Sequence, residues 1–206
     1  MIVGNKITKR YGTHTLFSNF DFHIDDGEFV CFSGKSGSGK TTLLNMIGLL
    51  EPIDSGTLVI NGKTWNRSRD KRTFYREEVG FLFQNFALIE NKTVRQNLAM
   101  AIQDIDNRQS MESVLYVVGL QNKIDAKVFT LSGGEQQRVA LARLMLKPCN
   151  IVLADEPTGS LDIENAKIVM GLLRQINASG KTVVMVTHDE QFKKQADRII
   201  CLDNMK

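Results

Sequence analysis

The stretch Gly34-Lys35-Ser36-Gly37-Ser38-Gly39-Lys40-Thr41 determines how the rest of the chain is interpreted. It matches the pattern G-x-x-x-x-G-K-[ST], in which glycines let backbone N–H groups converge on phosphate oxygens. The mostly apolar residues 28–33 come directly before this phosphate loop, and residues 42–50 after it have helical spacing. A buried strand, a glycine-rich loop and a helix in this order predict an α/β fold that binds the phosphates of a nucleotide.

The side chains at the end of the phosphate loop suggest ATP and Mg²⁺ as its ligands. Lys40 would reach the β- and γ-phosphates as a mobile point charge, and the hydroxyl of Thr41 is a ligand for Mg²⁺. We also expect Thr42, the next residue, to contact the nucleotide. A merely flexible turn would not need Lys-Thr at this place after a buried strand. The loop alone does not distinguish a kinase, a GTPase and a motor.

A second apolar run, Ile151-Val152-Leu153-Ala154, ends in two carboxylates, Asp155 and Glu156. The carboxyl ends of strands are where α/β folds place their ligands. There Asp155 can hold Mg²⁺ through water, and Glu156 can act as general base toward the attacking water. The alternative is a strand that ends in two solvated acids. A phosphate loop in the same chain favours the functional interpretation.

Two glycines stand inside a helix-capping pattern in Leu131-Ser132-Gly133-Gly134-Glu135-Gln136-Gln137-Arg138. Ser132 and Glu135 predict a capping box for the helix that follows. A capping box needs no glycines between its ends, whereas Gly133 and Gly134 leave bare N–H groups at a helix N-terminus, which is an anion site. One phosphate loop already serves one nucleotide. The second site therefore suggests a γ-phosphate that is bound to a different copy of the protein.

Together these motifs make the chain resemble the nucleotide-binding subunit of an ABC transporter over nearly its full length. Residues 34–41 match the phosphate loop of that family, 131–135 its signature motif and 151–156 its second acidic motif. Four further residues match in order: Tyr11, where the family stacks an aromatic ring on adenine; Gln84, where a glutamine senses Mg²⁺ and the membrane partner; Asp162, in the loop that crosses the dimer; and His188, which contacts the γ-phosphate.

The resemblance also implies how such a protein works. Two nucleotide-binding subunits would face head to tail as a homodimer, with each ATP between the phosphate loop of one copy and Ser132-Gly133-Gly134 of the other. ATP would close the dimer and hydrolysis would reopen it, with Glu156, His188 and Gln84 as the catalytic residues. An integral membrane permease would receive this motion through the segment after Gln84.

Strand and helix signals give the expected architecture. They alternate at both ends of the chain, whereas residues 90–147 show helical signals only. We therefore expect a P-loop NTPase core with a mostly parallel sheet, an N-terminal antiparallel β subdomain and an inserted α-helical subdomain. The whole chain, 1–206, would be one ABC ATPase domain: 1–89 and 148–206 form the β subdomain and RecA-like core, and about 90–147 the helical subdomain. Asn61-Gly62 after residues 56–60 predicts a hairpin.

Composition limits the partners and the location. A formal net charge of +3 over 206 residues does not argue for nucleic-acid binding, and we expect none. The three cysteines, Cys31, Cys149 and Cys201, have neither disulfide nor zinc spacing, which suits a reducing compartment. The start lacks the layout of a signal peptide, and no run approaches about 20 apolar residues. We therefore expect a cytoplasmic protein that a permease holds at the inner face of the membrane.

One tract bears on the subfamily. Residues 80–91 resemble a bacterial group of lactococcin-type bacteriocin exporters and, more broadly, the ATPases of lipoprotein-release and macrolide-efflux machines. This implies export or mechanotransmission, although residues 126–130 lack the proline that many relatives carry there. The apolar segment 85–90 after Gln84 is either a docking surface for a partner or the hydrophobic seam of the helical subdomain. Alternatives are an ATP-gated regulator of a membrane-linked cell-wall enzyme and a soluble non-transport ABC protein.

Overall fold

The computed structural model describes residues 1–65, 68–102 and 108–203, and these form two β-sheets with helices around them. The strands are β1 (Ile2–Tyr11), β2 (His14–Ile24), β3 (Phe29–Ser33), β4 (Ser55–Ile60), β5 (Val79–Leu82), β6 (Ile151–Asp155), β7 (Thr182–Val186) and β8 (Arg198–Cys201). The helices are α1 (Lys40–Ile47), α2 (Ser68–Thr73), α3 (Val94–Ala99), α4 (Arg108–Val117), α5 (Gly133–Leu146), α6 (Ile163–Ala178) and α7 (Glu190–Lys193).

The larger sheet has five parallel strands in the order β5-β6-β7-β3-β8. Its central strands are buried on both faces, which explains why they are continuous apolar runs rather than alternating ones. Within β3, Phe29 and Cys31 point into one core, whereas Val30 and Phe32 point into the other. The sheet therefore separates two hydrophobic cores, as expected for a sheet with structure packed on both faces.

The smaller sheet is antiparallel, in the order β2-β1-β4. Its apolar side chains pack with α1 into one of the two cores. Asn61 and Gly62 do form a tight turn with positive φ angles of 51° and 73°. The turn closes only a single bridge between Ile60 and Lys63, because β4 pairs instead with the distant β1. The predicted hairpin is therefore present only as this one antiparallel bridge.

The region from residue 90 to 147 contains α3, α4, α5 and two single 3₁₀ turns, Gln121–Lys123 and Val128–Thr130. Residues 103–107, within the predicted helical subdomain, lie outside the described part of the chain. Helix α5 packs against α3, α4, α6 and β5, so its residues connect this region with the parallel sheet. The α/β architecture with an antiparallel sheet and inserted helices is as predicted, while the domain boundaries stay a prediction.

Two short elements between β4 and β5 were not foreseen. Helix α2 is followed directly by a π-helical turn, Phe74–Glu78. The sequence of α2, Ser-Arg-Asp-Lys-Arg-Thr, has no apolar periodicity from which a helix is predicted. Among the described residues, no helix is long and apolar enough to cross a membrane.

Candidate functional site

The phosphate loop connects β3 to α1 by a backbone that only glycine adopts easily. Gly37 and Gly39 have φ angles of 79° and 96°. A Cβ atom on Gly39 would lie 2.6 Å from the ring of Phe17, so a side chain there is excluded by space as well. Gly39 is the N-cap of α1 and no side chain caps that helix. The first backbone N–H groups of α1 are thus left for a ligand, as in other anion sites at helix N-termini.

Two polar side chains at the start of α1 link the loop to its surroundings. The ammonium of Lys40 donates to the carbonyls of Gly34, at 2.8 Å, and Lys35, at 3.0 Å. The hydroxyl of Thr41 donates to Oδ1 of Asp155 at 3.1 Å, which joins the phosphate loop to the end of β6. Burial raises the pKa of Asp155, and the hydrogen bond from Thr41 opposes this shift only in part.

Glu156, directly after β6, is held by two neighbours from the loop that follows β7. Its Oε2 accepts a hydrogen bond from the hydroxyl of Thr187 at 2.9 Å, and its Oε1 lies 2.8 Å from Nδ1 of His188. The backbone of Glu156 is left-handed, with φ of 44°, and its N–H donates to the carbonyl of Val186 at 2.9 Å. The Glu156 side chain is only 15% exposed, whereas that of His188 is 70% exposed.

A cleft of about 390 Å³ brings most of these groups together. Tyr11, half exposed at the end of β1, lines one part of it and Glu156 another. The full lining consists of Tyr11, His14, Leu16, Ser36, Gly37, Gly39, Lys40, Thr41, Thr42 and Glu156. The predicted base-stacking aromatic residue, the phosphate loop and the predicted general base therefore share one cavity.

The second predicted anion site is elsewhere. Its capping box is present: the N–H of Glu135 donates to Oγ of Ser132 at 3.2 Å, and the N–H of Ser132 donates to Oε2 of Glu135 at 2.8 Å. The latter bond lowers the pKa of Glu135. Residues 132–134, which we call the signature turn, do not line the cleft. Gly133 is exposed with no atom within 4 Å of an added Cβ, whereas a Cβ on Gly134 would lie 2.5 Å from Oδ1 of Asn165.

The two remaining predicted residues also lie outside the cleft. Asp162 is the N-cap of α6, where its Oδ1 accepts from the N–H groups of Glu164 and Asn165 at 3.1 and 2.9 Å. The N–H of Asn165 contributes most to the lowered pKa of Asp162. Gln84 is exposed two residues beyond β5, the parallel neighbour of β6. Gln84 thus comes after the carboxyl end of β5, and Asp162 comes after β6, the neighbouring strand that ends at Asp155.

Helix α5 makes three polar contacts that sequence patterns did not reveal. Nε2 of the buried Gln137 donates to the carbonyl of Pro157 at 2.9 Å, and Arg138 donates to Oδ1 of Asn165 at 2.6 Å. The partly buried guanidinium of Arg143, whose pKa is lowered by desolvation, donates to the carbonyls of Ala87 at 2.6 Å and Phe86 at 3.1 Å. For Arg138 and Arg143, the sequence offered only the presence of a charged side chain on a helix that packs against the core, which does not predict a partner. Gln137 offered no signal.

The segment that Arg143 holds is strained. Phe86 and Ala87 both have left-handed backbones, with φ angles of 62° and 47°. A left-handed backbone at two consecutive non-glycine residues costs free energy, so it is retained only where surrounding contacts hold it. Such strain is common at functional sites. The segment 85–90 is therefore held by Arg143 of α5 and by Asn97 of α3, whose side chain bonds both the N–H and the carbonyl of Ile89.

Comparison with known proteins identifies the family. The family model described as ABC transporter matches residues 17–159. The chain belongs to the ABC transporter family. The matched part runs from β2 through the phosphate loop and the signature turn to the residues just beyond Glu156, so the motifs and the family model agree. The prediction of an ABC ATPase, which binds and hydrolyses ATP, is confirmed at the level of the family.

Relatives in this family are similar over the whole chain. It is 39% identical to the macrolide export ATP-binding/permease protein MacB of Campylobacter jejuni over 97% of its own length, but spans only 32% of that protein. It is also 39% identical to the glutamine transport ATP-binding protein GlnQ of Bacillus subtilis, covering 100% of this chain and 88% of GlnQ. The chain thus corresponds to about a third of MacB and most of GlnQ.

A solved structure confirms the fold. The dimeric, post-hydrolysis ATP-binding cassette MJ0796 bound to ADP and Pi superimposes with a TM-score of 0.87 at 35% identity. The match covers 98% of this chain and 94% of that one. The predicted α/β fold of an ABC ATPase is therefore correct. The roles of individual residues in this chain remain predictions.

Proposed function

We propose that this chain is the ATP-hydrolysing subunit of a membrane ABC transporter, in which ATP closes a head-to-tail dimer and hydrolysis reopens it. The observation that carries the proposal is the division of the site. The phosphate loop, Tyr11 and Glu156 share one cleft, whereas the signature turn has a satisfied cap and an exposed, unobstructed Gly133. A γ-phosphate in the cleft would complete its contacts with the signature turn of a second copy.

Within the cleft the chain supplies binding, orientation and a base. Backbone N–H groups of residues 34–41 and the ammonium of Lys40 would bind the phosphates, and Tyr11 would stack on the adenine. Glu156 would accept the proton of the attacking water, while His188, the neighbour of its Oε1, would position the γ-phosphate. Thr187 orients the same carboxylate through Oε2, which adds a positioning residue to the site.

The residues present fit a magnesium ion. The Thr41 hydroxyl and the Asp155 carboxylate are hard oxygen ligands 3.1 Å apart, and Asp155 is partly buried. Thr41 and Asp155, with Gln84 as a further candidate at the same edge, would hold the ion. When bound, it would neutralise charge on the phosphate oxygens.

The permease would dock on segment 85–90. Beside this segment lies a groove of about 400 Å³, with Phe81, Phe83, Ala87 and Met100 among its lining residues. Arg143 ties the segment to α5, whose other end carries the signature turn, so docking and dimer closure share one helix. Similarity to MacB supports export-type transport or mechanotransmission, and bacteriocin or peptide export is our specific proposal. The subunit would sit on the cytoplasmic face of the membrane.

A mixing experiment tests the shared site. Lys40→Ala would disable the phosphate loop and Gly133→Asp would disable the signature turn, so each purified variant should hydrolyse ATP poorly. Mixing them creates heterodimers in which the intact loop of the Gly133→Asp copy meets the intact signature turn of the Lys40→Ala copy. Phosphate release from the mixture should exceed the sum of the separate variants. A mixture no more active than that sum would contradict the shared site.

The docking proposal needs its own test. Phe86→Ser with Leu88→Ser should remove the stimulation by the membrane partner while the folded variant keeps a basal ATPase rate close to normal. Because both side chains are partly buried against the core, circular dichroism first checks that the variant is folded. Tyr116→Ser is the matched control, because Tyr116 is an exposed aromatic residue on α4, 74% accessible. Stimulation that survives the double substitution would place the permease elsewhere.

A further inference from the structure

Lys9 is a buried lysine beside the proposed adenine-stacking residue. It lies two positions before Tyr11 on β1, and only 4% of its surface is exposed. Its ammonium is 2.6 Å from Oε1 of Glu51 and donates to the carbonyl of Pro52 at 2.9 Å. Burying a lysine is costly unless its charge is paired, so this arrangement calls for an explanation.

The same ammonium lies over the ring of Tyr11, 5.0 Å from its centroid, which is cation–π distance. Glu51 completes the arrangement, because its Oε1 also accepts a hydrogen bond from the Tyr11 hydroxyl at 3.2 Å. The hydrogen bond to Glu51 raises the pKa of Lys9, so the ammonium stays charged at neutral pH. Lys9 and Glu51 thus hold Tyr11 by the ring and by the hydroxyl.

The two faces of the Tyr11 ring are in different surroundings. Tyr11 is 49% exposed and lines the nucleotide cleft, whereas Lys9 is buried and does not contribute to the lining of that cleft. A cation over one face draws electron density from the ring, and a less electron-rich ring stacks better on a purine. The contact of the Lys9 ammonium with one face of the Tyr11 ring should therefore make the opposite face stack more favourably on adenine.

We propose that Lys9 is a positioning residue for the nucleotide base: with Glu51 it fixes the Tyr11 ring and makes its free face a better stacking surface for adenine. This inference rests on the proposed function, since it requires ATP to stack on Tyr11. The competing explanation is structural, with Lys9 serving only to tie residues 51–54 to β1.

A double-mutant cycle separates the two explanations. The dissociation constant of ATP is measured by titration calorimetry for the wild type, Lys9→Met, Tyr11→Leu and the double variant. A cation–π contact of ordinary strength predicts that Lys9→Met weakens ATP binding by about threefold to tenfold. The same substitution should have no effect in the Tyr11→Leu background. An equal loss in both backgrounds, or no loss at all, would overturn the proposal.

Two controls distinguish an effect of Lys9 on adenine binding from effects on folding or on phosphate binding. Lys9→Arg retains the charge and should restore near-normal ATP affinity. Inorganic triphosphate has no base, so its affinity should not change in Lys9→Met; a matching loss would assign Lys9 a structural role. If Tyr11→Leu binds ATP as well as the wild type, adenine stacking fails and this inference with it. If the wild-type chain does not bind ATP, the proposed function itself fails.

Discussion

The N-termini of α1 and α5 both present backbone N–H groups, but their surroundings differ. Helix α1 has Gly39 as its N-cap and no side-chain cap, and its start lies in a cleft that several parts of the same chain line. Helix α5 has Ser132 as its N-cap with a reciprocal capping box, and its first residue, Gly133, faces open space. The first helix end thus has no side-chain cap of its own, while the second is capped by its own side chains and is accessible to another surface.

The difference separates what one chain does alone from what needs a second. The cleft at α1 contains the proposed base Glu156, the predicted magnesium ligand Thr41 and the predicted adenine-stacking ring of Tyr11, so we expect a single copy to bind nucleotide. The signature turn at α5 has only backbone groups and a small hydroxyl to offer a phosphate. Hydrolysis at full rate should therefore depend on concentration, and substitutions on the two sides should fail in different ways.

The largest effect is expected on the α1 side. Glu156→Gln keeps the shape of the side chain but removes the proton acceptor, so turnover should fall by about 10²–10⁴-fold, the usual contribution of a general base. ATP binding should persist, and the variant should accumulate as an ATP-bound dimer. Phosphate-release assays and size-exclusion chromatography with ATP measure both. A variant that hydrolyses ATP at the normal rate would remove Glu156 from the chemistry.

On the α5 side, Gly133→Asp should lower ATPase activity more than tenfold and prevent the ATP-dependent dimer, because a carboxylate would oppose the incoming γ-phosphate. Stability should change by less than about 0.5 kcal/mol, since the site is exposed and an acid suits a helix N-terminus. Gly171→Asp is the matched control, on an equally open glycine in α6. Equal loss of activity in both variants would contradict a role specific to the signature turn.

The neighbouring glycine should behave differently. Gly134→Ala places a methyl group against Asn165, whose side chain is already held by Arg138 and Asp162. Overpacking of this kind costs about 1–3 kcal/mol, so chemical denaturation should show a loss of that size. A stability within error of the wild type would mean that Asn165 moves aside easily, and the signature turn would then be less rigidly mounted than we infer.

The smallest effect concerns pH. The pKa of Asp155 is raised in the folded state, so the folded chain holds that proton more tightly and stability falls as pH rises through the raised value. Asp155→Asn removes this titration. Without nucleotide, it should unfold at a higher temperature than the wild type near pH 7, with the gap shrinking toward about pH 4, the ordinary range of aspartate. If Asp155→Asn unfolds at a lower temperature than the wild type at every pH tested, the ionised form of Asp155 does not destabilise the folded chain.

Much of this arrangement could be predicted from sequence because its signals are local. The phosphate loop, the acidic end of β6 and the capping box of α5 each occupy a few consecutive residues with fixed chemistry. The pairing of β4 with β1 could not be read from Asn61-Gly62, because a turn signal does not say which strand is the partner. The contacts of Lys9, Arg143 and Thr187 join residues distant in sequence, and single charged or hydroxyl side chains have no pattern of their own.

Helix α5 has a mechanical consequence that follows from its length. It has 14 residues and is therefore about 21 Å long, at about 1.5 Å per residue. The signature turn lies at its N-terminus. Near its C-terminus, Arg143 donates hydrogen bonds to the backbone carbonyls of Phe86 and Ala87. A rigid rod of that length acts as a lever arm. If the axis of α5 tilts by about ten degrees about one end, the other end moves by about 3–4 Å. In the proposed mechanism, dimer closure would move segment 85–90 through the rigid-body motion of α5.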